Sequence, residues 1–401
     1  RIQVIIALLC TLLLSLDGYA QGLEITGVPF QFRENPTTIV GMAQDNKGYI
    51  WLADIANGLF KYDGANLVSY KSKPGEANAL TTNRLECIYA DKNGMIWIGT
   101  FDRGLTMYDP ELELFTHYRN DKNDENSIRS DAIRALAMDD QGILWIGTVA
   151  GLDRLDPETG IFTHKHTEDT DEDVLAKEHI RALYIDKSGV LWIGSSSPFA
   201  TEASVGGLFR FDTEGKDIVH YVSSDSENSL VDNRVRAIFE DSRGTFWVGT
   251  AGDGLHTMNR EKGTFQRHLY DSENPEKLSR LPINPNLGAF DHITFINEDN
   301  GGNIWIGTFG AGMSRYDPSN EVMIHYHQAS SSRDQRFRTS YWTSLKTYDD
   351  ILWVSTWTSD SYDDQLFKIN SDPKRLYHKN IDAVGSIFSF TEGDSGDIYI
   401  G

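Results

Sequence analysis

The sequence predicts an all-β fold: a β-propeller of four-stranded blades, with seven complete blades and the start of another. Three observations predict it. One phrase recurs, as Ile96-Trp97-Ile98-Gly99-Thr100, Leu144-Trp145-Ile146-Gly147-Thr148, Leu191-Trp192-Ile193-Gly194-Ser195, Phe246-Trp247-Val248-Gly249-Thr250 and Ile304-Trp305-Ile306-Gly307-Thr308. Looser copies stand at Ile50-Trp51-Leu52 and Leu352-Trp353-Val354, and Ile398-Tyr399-Ile400-Gly401 ends the chain. The steps between aromatic positions are 46, 48, 47, 55, 58, 48 and 46 residues. A period near fifty means one supersecondary unit copied many times. No stretch shows helical periodicity.

The third copy gives the elements of one unit in order. Ala132 to Met138 is a short, mostly apolar run. Asp139-Asp140-Gln141-Gly142 is a turn, with glycine where a positive φ is needed. Ile143 to Gly147 is β-branched and aromatic and reads as a strand. Ala150-Gly151 breaks it, and Leu152 to Leu155 is a third strand, closed by Asp156-Pro157. Phe162-Thr163-His164-Lys165 is the fourth. Four short strands joined by tight turns and repeated around a ring make a propeller blade. The tryptophan is expected to fill the space between neighbouring sheets.

The phrase Asp-x-x-Gly-x-Ile/Leu-Trp-Ile-Gly-Thr followed by Gly-Leu-x-x-Tyr/Leu-Asp-Pro resembles the two-component regulator propeller repeat. Asp91 to Pro110 and Asp139 to Pro157 carry the resemblance best, and it extends from about Pro36 to the end. It implies the periplasmic sensory half of a membrane-spanning histidine kinase, often a hybrid sensor of Bacteroidetes-type bacteria. Such sensors usually carry two seven-bladed propellers and a small β-sandwich before the membrane, and their inferred signals are polysaccharide breakdown products. The implied partners are an oligosaccharide or other small ligand, the second propeller and sandwich domain, and a second copy in a homodimer. The kinase itself would lie beyond residue 401.

Composition narrows the classes. Arg1 to Ala20 has a basic start, an apolar run from Val4 to Leu14, and small residues at Gly18 and Ala20. That is the pattern of a secretory signal peptide cleaved after Ala20, and it predicts a periplasmic protein. In the full-length sensor the anchor would be the inner membrane. Cys87 is the one cysteine of the remaining chain, so no intrachain disulfide can form there. Without Arg1 and Asp17 the chain keeps 36 basic and 58 acidic side chains, a net −22. A nucleic-acid binder needs a basic face, so nucleic acid is excluded as an expected partner. No second apolar run is long enough to span a bilayer.

The expected organisation is a signal peptide at 1–20, a seven-bladed propeller at 21–380, and at 381–401 the first blade of a second propeller or an eighth blade. Phe30-Gln31-Phe32-Arg33 and Leu376-Tyr377-His378 compete to close the ring as the outer strand of the seventh blade. Closure stays open at this point.

The repeats act as an internal control. Features that recur at one slot belong to the scaffold, and features that depart from the slot are site candidates. His117, His164, His220, His268 and His325 fall in or near the fourth strand, so they read as packing residues rather than metal ligands. The glycines of 249–254 and 307–312 join strand to strand with no following helix, which excludes a phosphate loop. No nucleophile elbow, zinc motif or paired Cys-x-x-Cys is present. No cofactor, metal or catalytic residue is expected.

Two sets of site candidates remain. The first lies in loops that stretch the repeat: Ser195 to Val205 with Phe199, Leu278 to Asp291 with Phe290, and Thr356 to Asp364 with Trp357 and Tyr362. Aromatic side chains on such loops can stack on sugar faces or anchor a protein. The second lies on the innermost strands. Arg134, Arg181 and Arg236 share a slot counted back from the turn aspartate, with Glu86 and Thr294 in other blades. Two residues earlier stand Arg84, Arg234, His179 and His292. Strand alternation puts both slots on one side, near the channel mouth. Arginine there suits a carboxylated or sulfated ligand; the competing role is pairing with an acid on the next blade.

The leading functional expectation is a non-catalytic, ligand-sensing propeller that signals across the membrane. A secreted enzyme such as a polysaccharide lyase is one alternative, with His179, His292 and Tyr341 as its candidate bases. A protein-binding scaffold is the other.

Overall fold

The computed structural model describes residues 21–27, 36, 38–164, 175, 178–195, 205–211, 218–252, 254–280, 292–326, 340–357, 366–376, 390–392 and 398–400. Among them there is no α-helix. The strands form seven four-stranded antiparallel sheets and one two-stranded sheet. Blade 3 is typical: Ile133–Met138, Leu144–Thr148, Gly151–Asp156 and Ile161–His164 pair in sequence order. The seven first strands are Ile39–Gln44, Leu85–Ala90, Ile133–Met138, Ile180–Ile185, Val235–Glu240, Ile293–Glu298 and Ser340–Lys346. Each contacts the next, and the last contacts the first. They therefore line the central channel of a seven-bladed propeller.

Closure comes from the amino terminus. Gln21–Gly27 pairs antiparallel with Leu366–Leu376, from Gly22 opposite Asp372 to Gly27 opposite Phe367. It is the outer strand of blade 7, whose other strands come from the end of the ring. An amino-terminal strand was one of the two expected solutions, but the strand used lies upstream of Phe30 to Arg33, which fall outside the described residues. The rival segment is corrected in part: Leu376 ends the third strand of blade 7 rather than beginning a fourth. Phe390–Glu392 and Ile398–Ile400 form a hairpin of their own, outside the seven sheets.

The core lies between blades. Trp97 is fully buried among Ile133, Leu144, Ile146 and Phe162 of blade 3. Trp145 packs in the same way on blade 4, Trp192 on blade 5, Trp247 on blade 6 and Trp305 on blade 7. Trp353 of blade 7 then packs on Ile39, Leu52 and Phe60 of blade 1, and Trp51 on Leu85, Ile96 and Ile98 of blade 2. The circle of apolar clusters thus closes independently of the amino-terminal strand. A large ring fits here because radial sheets diverge outward and leave a wedge to fill.

The turn before each tryptophan is built to hold it. Gly142 has φ 86°, as its place in the turn requires. The Asp139 carboxylate accepts the Gln141 and Ile143 amides on one oxygen and the Trp145 indole N–H, at 2.9 Å, on the other. The same indole bond recurs in blades 1 to 6. In blade 7 Thr347 takes the slot, and its hydroxyl accepts the Ile351 amide.

Candidate functional site

The first strand of every blade carries a β-bulge at one position. In blade 3, Ile133 faces Thr148 and Ala135 faces Gly147, so Arg134 is the extra residue. The same shift falls at Val40, Glu86, Arg181, Arg236 and Thr294, and in blade 7 it spans Trp342 and Thr343. A bulged residue leaves the ladder and its side chain is re-aimed. A glycine supports this geometry. A Cβ on Gly99 would stand 2.4 Å from Cys87 Sγ and 2.8 Å from Ile133 Cγ2. Its absence lets Ile133 of the next blade seat closely, one residue before the bulged Arg134.

The occupants of this slot form a ring around the channel: Val40, Glu86, Arg134, Arg181, Arg236, Thr294 and Trp342, in blade order. Arg181 Nη1 lies 3.8 Å from Glu86 Oε2, although blade 3 stands between their blades. Only side chains directed into the channel can meet across an intervening blade. Arg134 Nη1 lies 3.9 Å from Glu86 and donates to the Phe101 carbonyl at 3.3 Å and the Ile133 carbonyl at 3.1 Å. Its guanidinium sits 4.7 Å over the Phe101 ring. Burial, reinforced by Arg134, lowers Arg181 to about 10. Burial, reinforced by Arg181, lowers Arg236 to about 9. Both stay charged at neutral pH. The competing expectation was pairing with an acid on the next blade; among the described residues, Arg134 and Arg181 share the Glu86 carboxylate of blade 2 at long range.

The earlier slot borders this ring at several points: Phe101 carries both Arg84 and Arg134, and Phe309 lies between His292 and Trp342. Arg84 is exposed, stacks 3.9 Å over Phe101 and pairs with Asp102 at 3.4 Å. Arg234 Nε donates to Asp232 Oδ1 at 2.8 Å. His292 is buried and stacked on Phe309, with ring centroids 5.6 Å apart. His179 also lies by the ring: burial first, then Arg181 and Arg134, lower its pKa.

Tyr341 and Trp357 are placed by backbone alone, in the first and second strands of blade 7, where Tyr341 pairs with Thr356 and Trp357 with Ser340. Phe199, Phe290 and Tyr362 lie outside the described residues, as do most residues of the three stretched loops. Of the loop residues that are described, Arg280 is buried and donates to the Gly252 carbonyl at 2.7 Å. Phe101, Phe309 and Trp342 were not singled out from the sequence. Phe101 and Phe309 directly follow the threonine of the repeated phrase, a slot that could have been read. Trp342 was legible as the blade 7 occupant of the arginine slot.

The recurring histidines have a structural task. His117 Nδ1 meets the Thr106 hydroxyl, and its Nε2 meets the Ala77 carbonyl in the connection from the preceding blade. His325 repeats this with Ser314 and Pro275, and His164 with Asp153 and Glu125. Among the described residues no cluster of three or more His, Cys, Asp or Glu could hold a metal. Cys87 is a free thiol, and burial pushes it up to about 12, which removes it as a nucleophile.

The family model described as two component regulator propeller matches residues 79–102, 127–150, 175–197 and 229–252. These four segments are similar to two component regulator propeller repeats. Each match runs from a blade connection through the first two strands of blades 2 to 5, and so contains the bulge.

Among solved structures, the extracellular domain of a proposed hybrid two component system of B. thetaiotaomicron is 22% identical with TM-score 0.68, over 95% of this chain and 47% of that one. The extracellular domain of a proposed one component system from the same organism is 18% identical with TM-score 0.61, over 96% of this chain and 45% of that one. This chain spans less than half the length of either. Catalytically inactive virginiamycin B lyase of Staphylococcus aureus, solved with quinupristin, is 13% identical with TM-score 0.60, over 87% of this chain and 99% of that one. At these identities the likeness is one of fold. No curated protein matches the chain.

Proposed function

We propose that this chain is the non-catalytic, ligand-sensing propeller of a two component sensor histidine kinase, exported to the periplasm and reading an oligosaccharide at the mouth of its channel. One observation carries the reading. The bulge recurs in all seven blades, yet its occupants differ, from Val40 and Trp342 to Glu86 and three arginines. A scaffold feature that recurs while its side chain varies is where a repeat fold can write specificity. The regulator propeller repeats and the extracellular two component domains of like fold support the signalling role. In the longer protein a second propeller would begin near the hairpin of Phe390–Glu392, and ligand binding would bias the relation between propellers or subunits.

A lyase is the second reading, favoured by one observation: His179 is held toward its neutral, base-competent form beside Arg181 and Arg134. One experiment addresses both. Neutral, uronic-acid-containing and sulfated oligosaccharides are titrated calorimetrically into the purified protein and then recovered. Saturable binding of a glycan recovered intact is the expected result. Release of unsaturated products would move the assignment to the lyase, and no binding across the panel would remove the oligosaccharide. Sequencing the gene past Gly401 tests the kinase, since a chain without a membrane span and kinase domain would overturn the transduction role.

A further inference from the structure

We propose that Arg134, Arg181 and Arg236 form a built oxyanion site in the central channel, taking a sulfate, phosphate or carboxylate group, free or as the end of a larger ligand. The proposal deepens the sensor reading by assigning the charged part of its ligand, and it is tested separately from it.

Three features carry it. The arginines stand on consecutive blades at one bulged slot, so their guanidinium groups converge on a common segment of channel. Their charge is not balanced: three guanidinium groups face Glu86 as their one carboxylate among the described residues, with Arg134 and Arg181 at 3.9 and 3.8 Å from it and Arg236 within its field. A net of about two positive charges is left inside a protein of net charge −22. Their donors are also not used up. Arg134 Nε and Arg181 Nε are buried with no hydrogen-bond partner among the described residues. Arg315 Nε, on the third strand of blade 6, is also buried without a partner among the described residues, so it is the combination of unused donors with surplus charge that sets the channel arginines apart. Arg260 reaches Asp186 at 3.0 Å and Glu240 at 2.8 Å, and Arg234 forks onto Asp232. Buried polar groups in folded proteins are paired as a rule, so unused Nε–H groups beside surplus charge mark a place shaped for an acceptor.

The rest of the ring says how such a ligand would lie. Across the channel the slot holds Thr294, Trp342 and Val40, with no charge. Trp342 packs edge-on to Phe309 at 5.8 Å between ring centroids. An anionic group on the arginine arc would leave the remainder of its ligand against this aromatic side.

The test is calorimetric titration of the purified protein with inorganic sulfate, against sodium chloride at equal ionic strength. Wild type is expected to bind sulfate saturably. Glu86→Gln removes the competing carboxylate and is expected to tighten binding about tenfold, while Arg236→Gln weakens it about tenfold. Circular dichroism checks that each variant folds. If Arg236→Gln does not fold, Glu86→Gln decides alone, because a purely structural arginine cluster predicts lost stability and no gain in affinity. Absence of saturable binding in wild type, or unchanged affinity in Glu86→Gln, overturns the site. N-acetylglucosamine 6-sulfate binding tighter than sulfate assigns the anion to a larger ligand, and equal affinity assigns a free ion; both support the site. Sulfate binding with no oligosaccharide binding keeps the site and removes the glycan reading. A neutral oligosaccharide that binds while sulfate is inert does the reverse.

Discussion

The Trp97 indole N–H donates to Asp91 Oδ2 at 3.0 Å, six residues back along the chain. The other oxygen of that carboxylate accepts the Asn93 and Met95 amides. One buried side chain therefore shapes the turn and aims the ring that packs the next blade. The repeated Asp-x-x-Gly-x-x-Trp spacing is a single device, in which turn and core are specified together.

Replacing Asp91 with alanine should be among the more damaging single changes. It orphans a buried indole N–H and removes the acceptor of two turn amides, and hydrogen bonds to charged groups are the stronger kind. We expect a loss of about 3 kcal/mol, read from urea unfolding. Asp91→Asn keeps an oxygen for the turn but sets an amide NH2 against the indole, so it should fall between wild type and alanine.

Gly99→Ala tests the seat beneath the bulge. The added Cβ meets Cys87 Sγ and Ile133 Cγ2 well inside contact distance. Overpacking of this kind costs about 1–3 kcal/mol, and a shift of Ile133 would carry Arg134 with it. Thermal unfolding should show the loss. A variant as stable as wild type would mean that blades 2 and 3 separate more easily than their packing implies.

The sequence disclosed the blades because their information is local. Period, turn glycine and tryptophan all lie within one fifty-residue unit. Ring closure was not legible, since Gln21–Gly27 lacks the repeated phrase and finds its partner strand at the far end of the chain. The bulge was hidden for another reason. It is a register relation between two strands, and its slot holds valine, glutamate, arginine, threonine or tryptophan with no shared residue type. The arginines were found by counting from the turn aspartate, but their convergence on Glu86 needed the ring. Arg84 and Arg234 were grouped with them by alternation; Arg84 shares the Phe101 face with Arg134, and Arg234 is taken up by Asp232.

Deleting Gln21–Gly27 should open the ring at blade 7. The strand Leu366–Leu376 would become an exposed edge, while the contact of Trp353 with blade 1 would remain. The expected outcome is a lower urea midpoint and fast hydrogen exchange confined at first to Leu366–Leu376. Unchanged protection there would show that the apolar clusters alone hold blade 7.

The His164–Asp153 pair gives blade 3 a pH dependence of its own. Thr106 and Ser314 offer hydroxyls to the equivalent histidines, whereas Asp153 is fully buried and meets His164 Nδ1 at 2.7 Å. That hydrogen bond, with the Asp153 charge, raises the His164 pKa against burial and Arg129. A histidine whose folded pKa is raised contributes stability that is complete below its unfolded value, near 6.5, and is lost as pH rises through the folded value. The stability difference between wild type and His164→Gln should therefore be largest in mild acid and shrink from neutral pH upward. Arg129 keeps a second hold on Asp153, through its backbone amide at 2.7 Å, so the buried carboxylate stays partnered in the variant. Urea unfolding at several pH values measures the difference. A gap that grows with pH would reverse the sign and show that His164 is held neutral, with its Nε2 facing Glu125 as the dominant contact.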